Sequence, residues 1–508
     1  MQSYHQAREA IEVYSPAEEA FSRRRRTVGL FLAPIVFLLI WALPLDLPVP
    51  AHRLAAILAL VVVLWLSEAL PLAVTALLGP VLAVVLGVAS ARNALAPFAD
   101  PIIFLFIGGF ILAQAMFVHG VDRRIAYTTL SRPAVGASAL RVLLVYGGVC
   151  TALSMWISNT ATTAMMFPIG LSIVAHLSRG AGIHPVQVQR FGMAMMLVTA
   201  FGASIGGMGT PVGTPPNLIG IGMLQKMTGT KISFFQWMVI GVPIVIVMFV
   251  AMIAQFHYRS VRGLPIDASH TVMVQQELAK LGRLTPGERN VLTAFGLTVC
   301  LWVAPGTFAI LGIDDTAVAR WYATALPESV VAIAGAVLLF ILPIDWRARR
   351  FTLTWDEAVR IDWGIVLLYG GGLALGELAF ATGLAKAMGE AITSGLPSQS
   401  TLALTMVFTG AAIVLSETAS NTASANMIVP IAIAVSQAAN VRAIEPVLGA
   451  TLGASMGFMM PISTPPNAIV YSSGYIPIGQ MMRTGVILDV IGFVVIVAAV
   501  MTLGPLVL

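Results

Sequence analysis

Residues 154–163 read Ser154-Met155-Trp156-Ile157-Ser158-Asn159-Thr160-Ala161-Thr162-Thr163, and residues 416–425 read Ser416-Glu417-Thr418-Ala419-Ser420-Asn421-Thr422-Ala423-Ser424-Ala425. Each Ser-Asn-Thr sits inside a long apolar stretch, about 139–177 for the first and 401–438 for the second. A polar elbow between two apolar arms predicts a helical hairpin that enters a bilayer and returns to the same side. Non-helical backbone at membrane depth is tolerated only where protein buries it or it lines a wet cavity. Short Ser, Asn and Thr side chains suit such an elbow because they cap the N-terminus of the second arm. That terminus offers free N–H groups and partial positive charge, which favour an anion.

Two further motifs recur. Thr214-Pro215-Pro216-Asn217 returns as Thr464-Pro465-Pro466-Asn467, 250 positions later. Asp100 followed by Gly108-Gly109 returns as Asp362 followed by Gly370-Gly371, 262 positions later, which is also the displacement between the two Ser-Asn-Thr elbows. Three motifs in the same order predict two related halves. Paired prolines remove two N–H donors and exclude the preceding turn from regular helix. Carbonyls upstream lose partners, and Gly206, Gly207, Gly209 and Gly213 loosen the backbone further. Orphan carbonyls in a membrane are costly unless a cation or water meets them. Each half therefore offers cation-ligating oxygens beside an anion-favouring helix start. Asp100 and Asp362 read as helix caps. Glu417 has Met155 as its counterpart in the first elbow and reads as hydrogen-bonding support for the second. Glu68 and Glu377 receive no role.

The composition agrees with a membrane setting. Of 508 residues, 58% are hydrophobic and 10% charged, against about 25% charged in average soluble domains. Apolar runs near the roughly 20 residues needed to cross a hydrocarbon core recur along the chain. They do not alternate as barrel strands do. The expected fold is all-α and integral to the membrane, with about eleven transmembrane helices plus two re-entrant hairpins. The spans are expected near 29–48, 53–72, 73–91, 100–121, 190–225, 234–257, 288–311, 328–345, 362–382, 446–475 and 484–506. A polar tail ending in Arg23-Arg24-Arg25-Arg26 precedes the first span and places the N-terminus in the cytoplasm. Loops then sort the Lys and Arg residues 21 inside to seven outside, as the positive-inside rule requires. Counting either hairpin as a full crossing destroys that split. The C-terminus falls outside, and the two halves run in opposite directions. Such inverted repeats place a transporter's site at their interface near the midplane. No Arg, Lys or His lies in either elbow or either Thr-Pro-Pro-Asn loop, so a bound anion needs helix ends, amides, hydroxyls and a co-bound cation. The expected location is the plasma (inner) membrane.

With these residues, and with the flanking strings WLSEALPLAVTALLGP and SMWISNTATTAMM, the sequence resembles the divalent-anion:sodium symporter family, from about residue 30 to the end. Members carry succinate, malate, fumarate, citrate or sulfate. The resemblance implies at least two sodium sites. One would use Ser154, Ser158, Asn159 and the carbonyl of Gly213; the other Ser416, Ala419, Asn421 and Ser463, partly through backbone oxygens. It implies substrate carboxylates at Asn159, Thr160, Asn421 and Thr422, with Thr214, Pro215, Thr464 and Pro465 as the remaining wall. It implies an elevator-type homodimer, in which a transport domain slides against a scaffold. On that plan residues 1–28 form a cytosolic tail and 258–287 a cytosolic loop. Segments 29–138 and 288–392 are scaffold, and 139–257 and 393–508 are transport domain.

The expected function is sodium-coupled symport of di- and tricarboxylates, with sodium-independent dicarboxylate exchange as the alternative. Exchangers of this fold should lose sodium oxygens, often to a basic side chain, whereas both elbows here keep Ser-Asn-Thr. A sodium/proton or metalloid-anion carrier on a related fold is a third reading. Nucleic acid is not an expected partner. An enzyme is disfavoured: there is no H-E-x-x-H, and Gly202-Ala203-Ser204-Ile205-Gly206 lies in an apolar helix with no strand before it. Cys150 and Cys300 imply no disulfide framework, and the methionine runs read as packing.

Overall fold

The computed structural model describes residues 16–135, 138–178, 184–262, 264 and 269–507. Its helices, short turns apart, are α1 Pro16–Ala42, α2 Val49–Ser67, α3 Leu72–Val85, α4 Pro101–His119, α5 Val121–Leu130, α6 Ala139–Ser154, α7 Asn159–Ser178, α8 Pro185–Gly207, α9 Pro215–Thr228 and α10 Phe234–Phe256. They continue as α11 Ser269–Leu281, α12 Pro286–Ile310, α13 Ala317–Ala325, α14 Glu328–Ile341, α15 Trp363–Thr382, α16 Leu384–Gly395 and α17 Thr401–Thr418. The last four are α18 Asn421–Ala438, α19 Ile444–Gly453, α20 Pro465–Tyr471 and α21 Ile478–Val507. A two-stranded antiparallel ribbon, β1 Pro343–Asp345 with β2 Arg350–Phe351, is the described departure from an all-helical chain. Composition could not announce it, because so short a hairpin carries no periodicity.

The order α4 to α10 parallels α15 to α21, and local chemistry explains why. Asp100 Oδ1 accepts the Ile102 N–H at 3.0 Å and Asp362 Oδ1 the Ile365 N–H at 3.3 Å, so both acids cap their helices as expected. Gly120 and Gly383 end these helices in the left-handed conformation, at φ 68° and 83°, where a side chain is strained. Ser138 and Ser400 cap the next long helices by accepting the N–H groups of Arg141 and Ala403. Pro168 and Pro430 lie within α7 and α18.

The glycine pairs have a packing reason. α4 packs on α14, and α15 packs on α3. A Cβ on Gly108 would lie 2.5 Å from the Ala332 backbone, and one on Gly371 would lie 2.2 Å from the Ala76 carbonyl. Small residues let helices approach this closely where no hydrophobic effect drives them together. Each half thus packs its glycine helix on a helix of the other half.

By length and composition, nine of the described helices could cross a membrane, or ten if the bent pair α13 and α14 counts as one span. The eleven expected spans differ from these nine because α3, at 14 residues, is short, the span near 446–475 is broken into α19 and α20 and that near 328–345 belongs to the bent pair, while α17, an expected hairpin arm, is itself long and apolar enough to cross; the span near 190–225 is also broken, but α8 alone qualifies. The outer faces of α1 and α21 expose Phe31, Ile35, Leu38, Val490 and Val494, as lipid-facing helices do. The expected tail is partly helix, since α1 starts at Pro16 and carries the four arginines. The 258–287 loop likewise contains α11. Residues 1–15, and with them most of the expected tail, lie outside the described residues.

Candidate functional site

The predicted arms form as α6 with α7 and α17 with α18, and their elbows fall at 155–158 and 419–420. Each elbow is closed by the same bond. Ser154 Oγ donates to Asn159 Oδ1 at 2.8 Å, and Ser416 Oγ donates to Asn421 Oδ1 at 2.8 Å. The Ser416 hydroxyl also lies 2.8 Å from the Ala454 carbonyl. Ser158 Oγ accepts the Ala161 N–H at 3.3 Å and caps α7. Ser420, its counterpart, makes no such side-chain cap.

The Thr-Pro-Pro-Asn loops are built alike. Thr214 and Thr464 are extended, at φ −145° and −143°, before α9 and α20. Asn217 Nδ2 donates to the carbonyls of Gly207 at 2.9 Å and Thr210 at 2.8 Å. Asn467 Nδ2 does the same for Gly457 at 2.9 Å and Met460 at 3.0 Å. These buried amides meet carbonyls that the broken helices leave without regular partners. The fourth letter of each motif is therefore a brace, a role the motif's spacing did not reveal.

Oxygens converge behind each elbow. A Cβ on Gly213 would lie 2.5 Å from the Gly207 carbonyl oxygen and 2.9 Å from that of Met155; one on Gly207 would lie 2.4 Å from Asn159 Oδ1. In the second half a Cβ on Gly457 would lie 3.3 Å from both Asn421 Oδ1 and the Ser416 carbonyl oxygen. Carbonyl, amide and hydroxyl oxygens are donors that fit a hard cation. Among the described residues there is no His, Cys, Asp or Glu cluster of the kind that holds a transition metal.

Both elbows and both loops open onto one cavity of about 730 Å³, within the roughly 300–1,000 Å³ range of small-molecule sites. Asn159, Thr160, Thr214, Pro215, Asn421, Thr422, Thr464 and Pro465 all line it, together with Ser158 and Ser463. Ser154, Gly213, Ser416 and Ala419 do not line the cavity and are buried behind it. Residues some 260 positions apart in sequence thus share one chamber.

Several wall residues were not foreseen. Arg26, Glu68, Arg360 and Asp362 line the cavity. Arg25 Nη2 donates to Glu68 Oε2 at 2.7 Å, and its Nη1 donates to the Thr418 carbonyl at 3.4 Å. That ties α1 to the end of α17 and gives Glu68 a partner; Glu377 pairs with Lys226 at 3.5 Å. Glu417 supports the second elbow as expected. Its Oε1 accepts the N–H groups of Phe458 at 2.7 Å and Met459 at 2.8 Å, and its Oε2 accepts the Ser463 hydroxyl at 2.7 Å. The buried carboxyl of Asp489, on α21, faces Glu417, and neither of its oxygens has a hydrogen-bond partner among the described residues. No motif pointed to Asp489, because the contact joins two separate helices.

A bundle of apolar helices encloses a polar, oxygen-lined chamber, and the family and relatives that this chain matches make it a multi-pass membrane transporter, not an enzyme. The family model for the sodium:sulfate symporter transmembrane region matches residues 24–508, so the chain belongs to that family, the divalent-anion:sodium symporters. Similar relatives include the sodium-dependent dicarboxylate transporter SdcS of Staphylococcus aureus strains MRSA252 and USA300. Each is 35% identical over 489 residues, covering 95% of this chain and 92% of the relative. The YdaH transporter of Alcanivorax borkumensis shares the fold at a TM-score of 0.54 and 10% identity, over 89% of this chain and 98% of that one.

Proposed function

We propose that the chain is a sodium-coupled symporter of small di- and tricarboxylates of the succinate, malate and fumarate type. The observation that carries this reading is the single cavity onto which both Ser-Asn-Thr elbows and both Thr-Pro-Pro-Asn loops open. Asn159, Thr160, Asn421 and Thr422 bind the carboxylates, with Thr214, Pro215, Thr464 and Pro465 as the wall. One sodium ion sits among Ser154, Ser158, Asn159 and the Gly213 carbonyl, and a second among Ser416, Ala419, Asn421 and Ser463. The elbows carry no basic side chain, so the cations supply the positive charge that the anion's desolvation demands. Coupling follows, because the anion binds well only after sodium. The name of SdcS as a sodium-dependent dicarboxylate transporter supports the same substrate class.

The two halves are inverted repeats in the inner membrane, with the N-terminus cytoplasmic and the C-terminus outside. Segments 139–257 and 393–508 form a transport domain that slides as an elevator against a scaffold of 29–138 and 288–392, within a homodimer. Arg26 and Arg360 come from segments assigned inside by the charge count and both line the cavity, so this conformation opens to the cytoplasm. The same two arginines favour a second reading, sodium-independent exchange, in which a basic group replaces the cation.

Radiolabelled succinate uptake into proteoliposomes, with and without a sodium gradient, separates the readings. Uptake should require sodium, and Asn159→Ala and Asn421→Ala should each lower it at least about ten-fold, which corresponds to some 1.4 kcal/mol. Uptake indifferent to sodium but dependent on internal succinate would establish exchange. Near-normal uptake in either variant would remove the proposed site.

A further inference from the structure

A second cavity, of about 480 Å³, lies apart from the elbows, between the start of α8, the end of α10 with the turn after it, and the start of α21. Arg190, Arg259 and Arg483 line it, one from each of these elements. The rest of its polar lining is neutral, including Gln255 and Thr484, and no Asp or Glu is present among the described residues of its wall. None of the three arginines makes an ion pair or side-chain hydrogen bond with another described residue. Two helix starts open on the same space, since Val186 and Gln189 of α8 and Pro477 and Gln480 at the head of α21 line it. Helix N-termini add partial positive charge. Like charges gathered from three elements with no carboxylate among them call for an anion.

The surface beside the cavity indicates which anion. Ile478, Met482, Val486, Val490 and Val494 are spaced four apart along α21, and all are between 39% and 60% exposed. Such spacing makes one continuous ridge of about 24 Å at 1.5 Å per residue, longer than the roughly 15 Å of a single leaflet's hydrocarbon. The ridge winds around α21, and at 3.6 residues per turn its outer members Val490 and Val494 share the face of Arg483, so the arginine cavity lies below an apolar, lipid-facing surface. We propose that this cavity binds the phosphate headgroup of an anionic membrane lipid, whose acyl chains lie along the α21 ridge. Guanidinium forks match phosphate oxygens, and basic pockets between spans on the cytoplasmic side take such headgroups. The charge count puts all three arginines on that side. The lipid bridges α8, α10 and α21 at their cytoplasmic ends, where α10 and α21, which pack on each other along their length, are also joined by Gln255 Nε2 to the Thr484 carbonyl at 3.4 Å.

A free phosphate shares the headgroup's chemistry, so the test has two arms. The full chain is reconstituted in phosphatidylcholine nanodiscs with and without phosphatidylglycerol, and separately with inorganic phosphate in place of the anionic lipid. Thermal unfolding and lipid retention by native mass spectrometry are read. Phosphatidylglycerol should raise the unfolding temperature and stay bound, and the triple variant Arg190→Gln, Arg259→Gln, Arg483→Gln should lower retention about ten-fold. Arg320→Gln, remote from the cavity, should change nothing, and inorganic phosphate should not substitute. Stabilisation by phosphate with no effect of the lipid would overturn the lipid assignment, and retention unchanged in the triple variant would overturn the site. Should the triple variant not fold, the single variants decide: each should lower retention severalfold, and three unchanged singles refute the proposal.

Discussion

Asn217 and Asn467 show what one side chain can decide. Each amide donates to two carbonyls at a break between helices, at 2.8 to 3.0 Å, and each residue is fully buried. Water cannot replace the lost donor, so Asn467→Ala should cost about 1–3 kcal/mol. Asn467→Asp should be worse, because a carboxylate would then face two carbonyls. Thermal unfolding in detergent should rank wild type above Ala above Asp; an Asp variant as stable as wild type would contradict the brace. Glu417 follows the same logic, as its carboxylate satisfies two N–H groups and the Ser463 hydroxyl. That leaves Asp489 as a buried acid with no donor of its own among the described residues.

At the scale of elements, crossed packing holds the halves together. α4 lies on α14 through Gly108 and α15 on α3 through Gly371, each with backbone closer than a Cβ would permit. Gly371→Val puts a branched side chain against the Ala76 carbonyl, a contact neither backbone can relieve. The helices must separate, and overpacking typically costs about 1–3 kcal/mol or more. Gly296→Val on α12, where a Cβ would meet nothing within 4 Å, is the control. Size-exclusion chromatography after mild heating should show aggregation of the first variant and not the second. Equal behaviour would mean that the glycine pair is not a packing device.

The whole molecule presents two faces that a labelling experiment can tell apart. On the proposed orientation, the β1–β2 ribbon and the α1 arginines face the cytoplasm, and the Lys386 end of α16 faces outside. Cysteines are introduced as Ala348→Cys and Lys386→Cys, both at exposed positions, in a chain with Cys300→Ser. An impermeant maleimide applied to intact cells should label the second and spare the first, and inverted vesicles should reverse the pattern. The same side for both would undo the odd span count and with it the inverted relation of the halves. The ribbon also bears on the cavity, because the segment after it delivers Arg360 and Asp362 to the wall.

Membrane residence, helical class and the pair of helices flanking each Ser-Asn-Thr were legible in the sequence, and the eight residues expected to meet substrate line one cavity. Their signals are local: apolar run length, a polar interruption, paired prolines, and the recurrence of each motif at a constant offset. The arms at 139–177 and 401–438 coincide with α6–α7 and α17–α18 to within a residue or so. The reach of Arg25 to Thr418, the contact of Asp489 with Glu417, the charged wall at Arg26 and Arg360, and the arginine cavity at the starts of α8 and α21 were decided only by tertiary structure. Each joins residues from different helices, and no period or spacing along a chain encodes which helix faces will meet. That choice is made by packing, where close-approach glycines and crossed helices bring distant groups to hydrogen-bonding range.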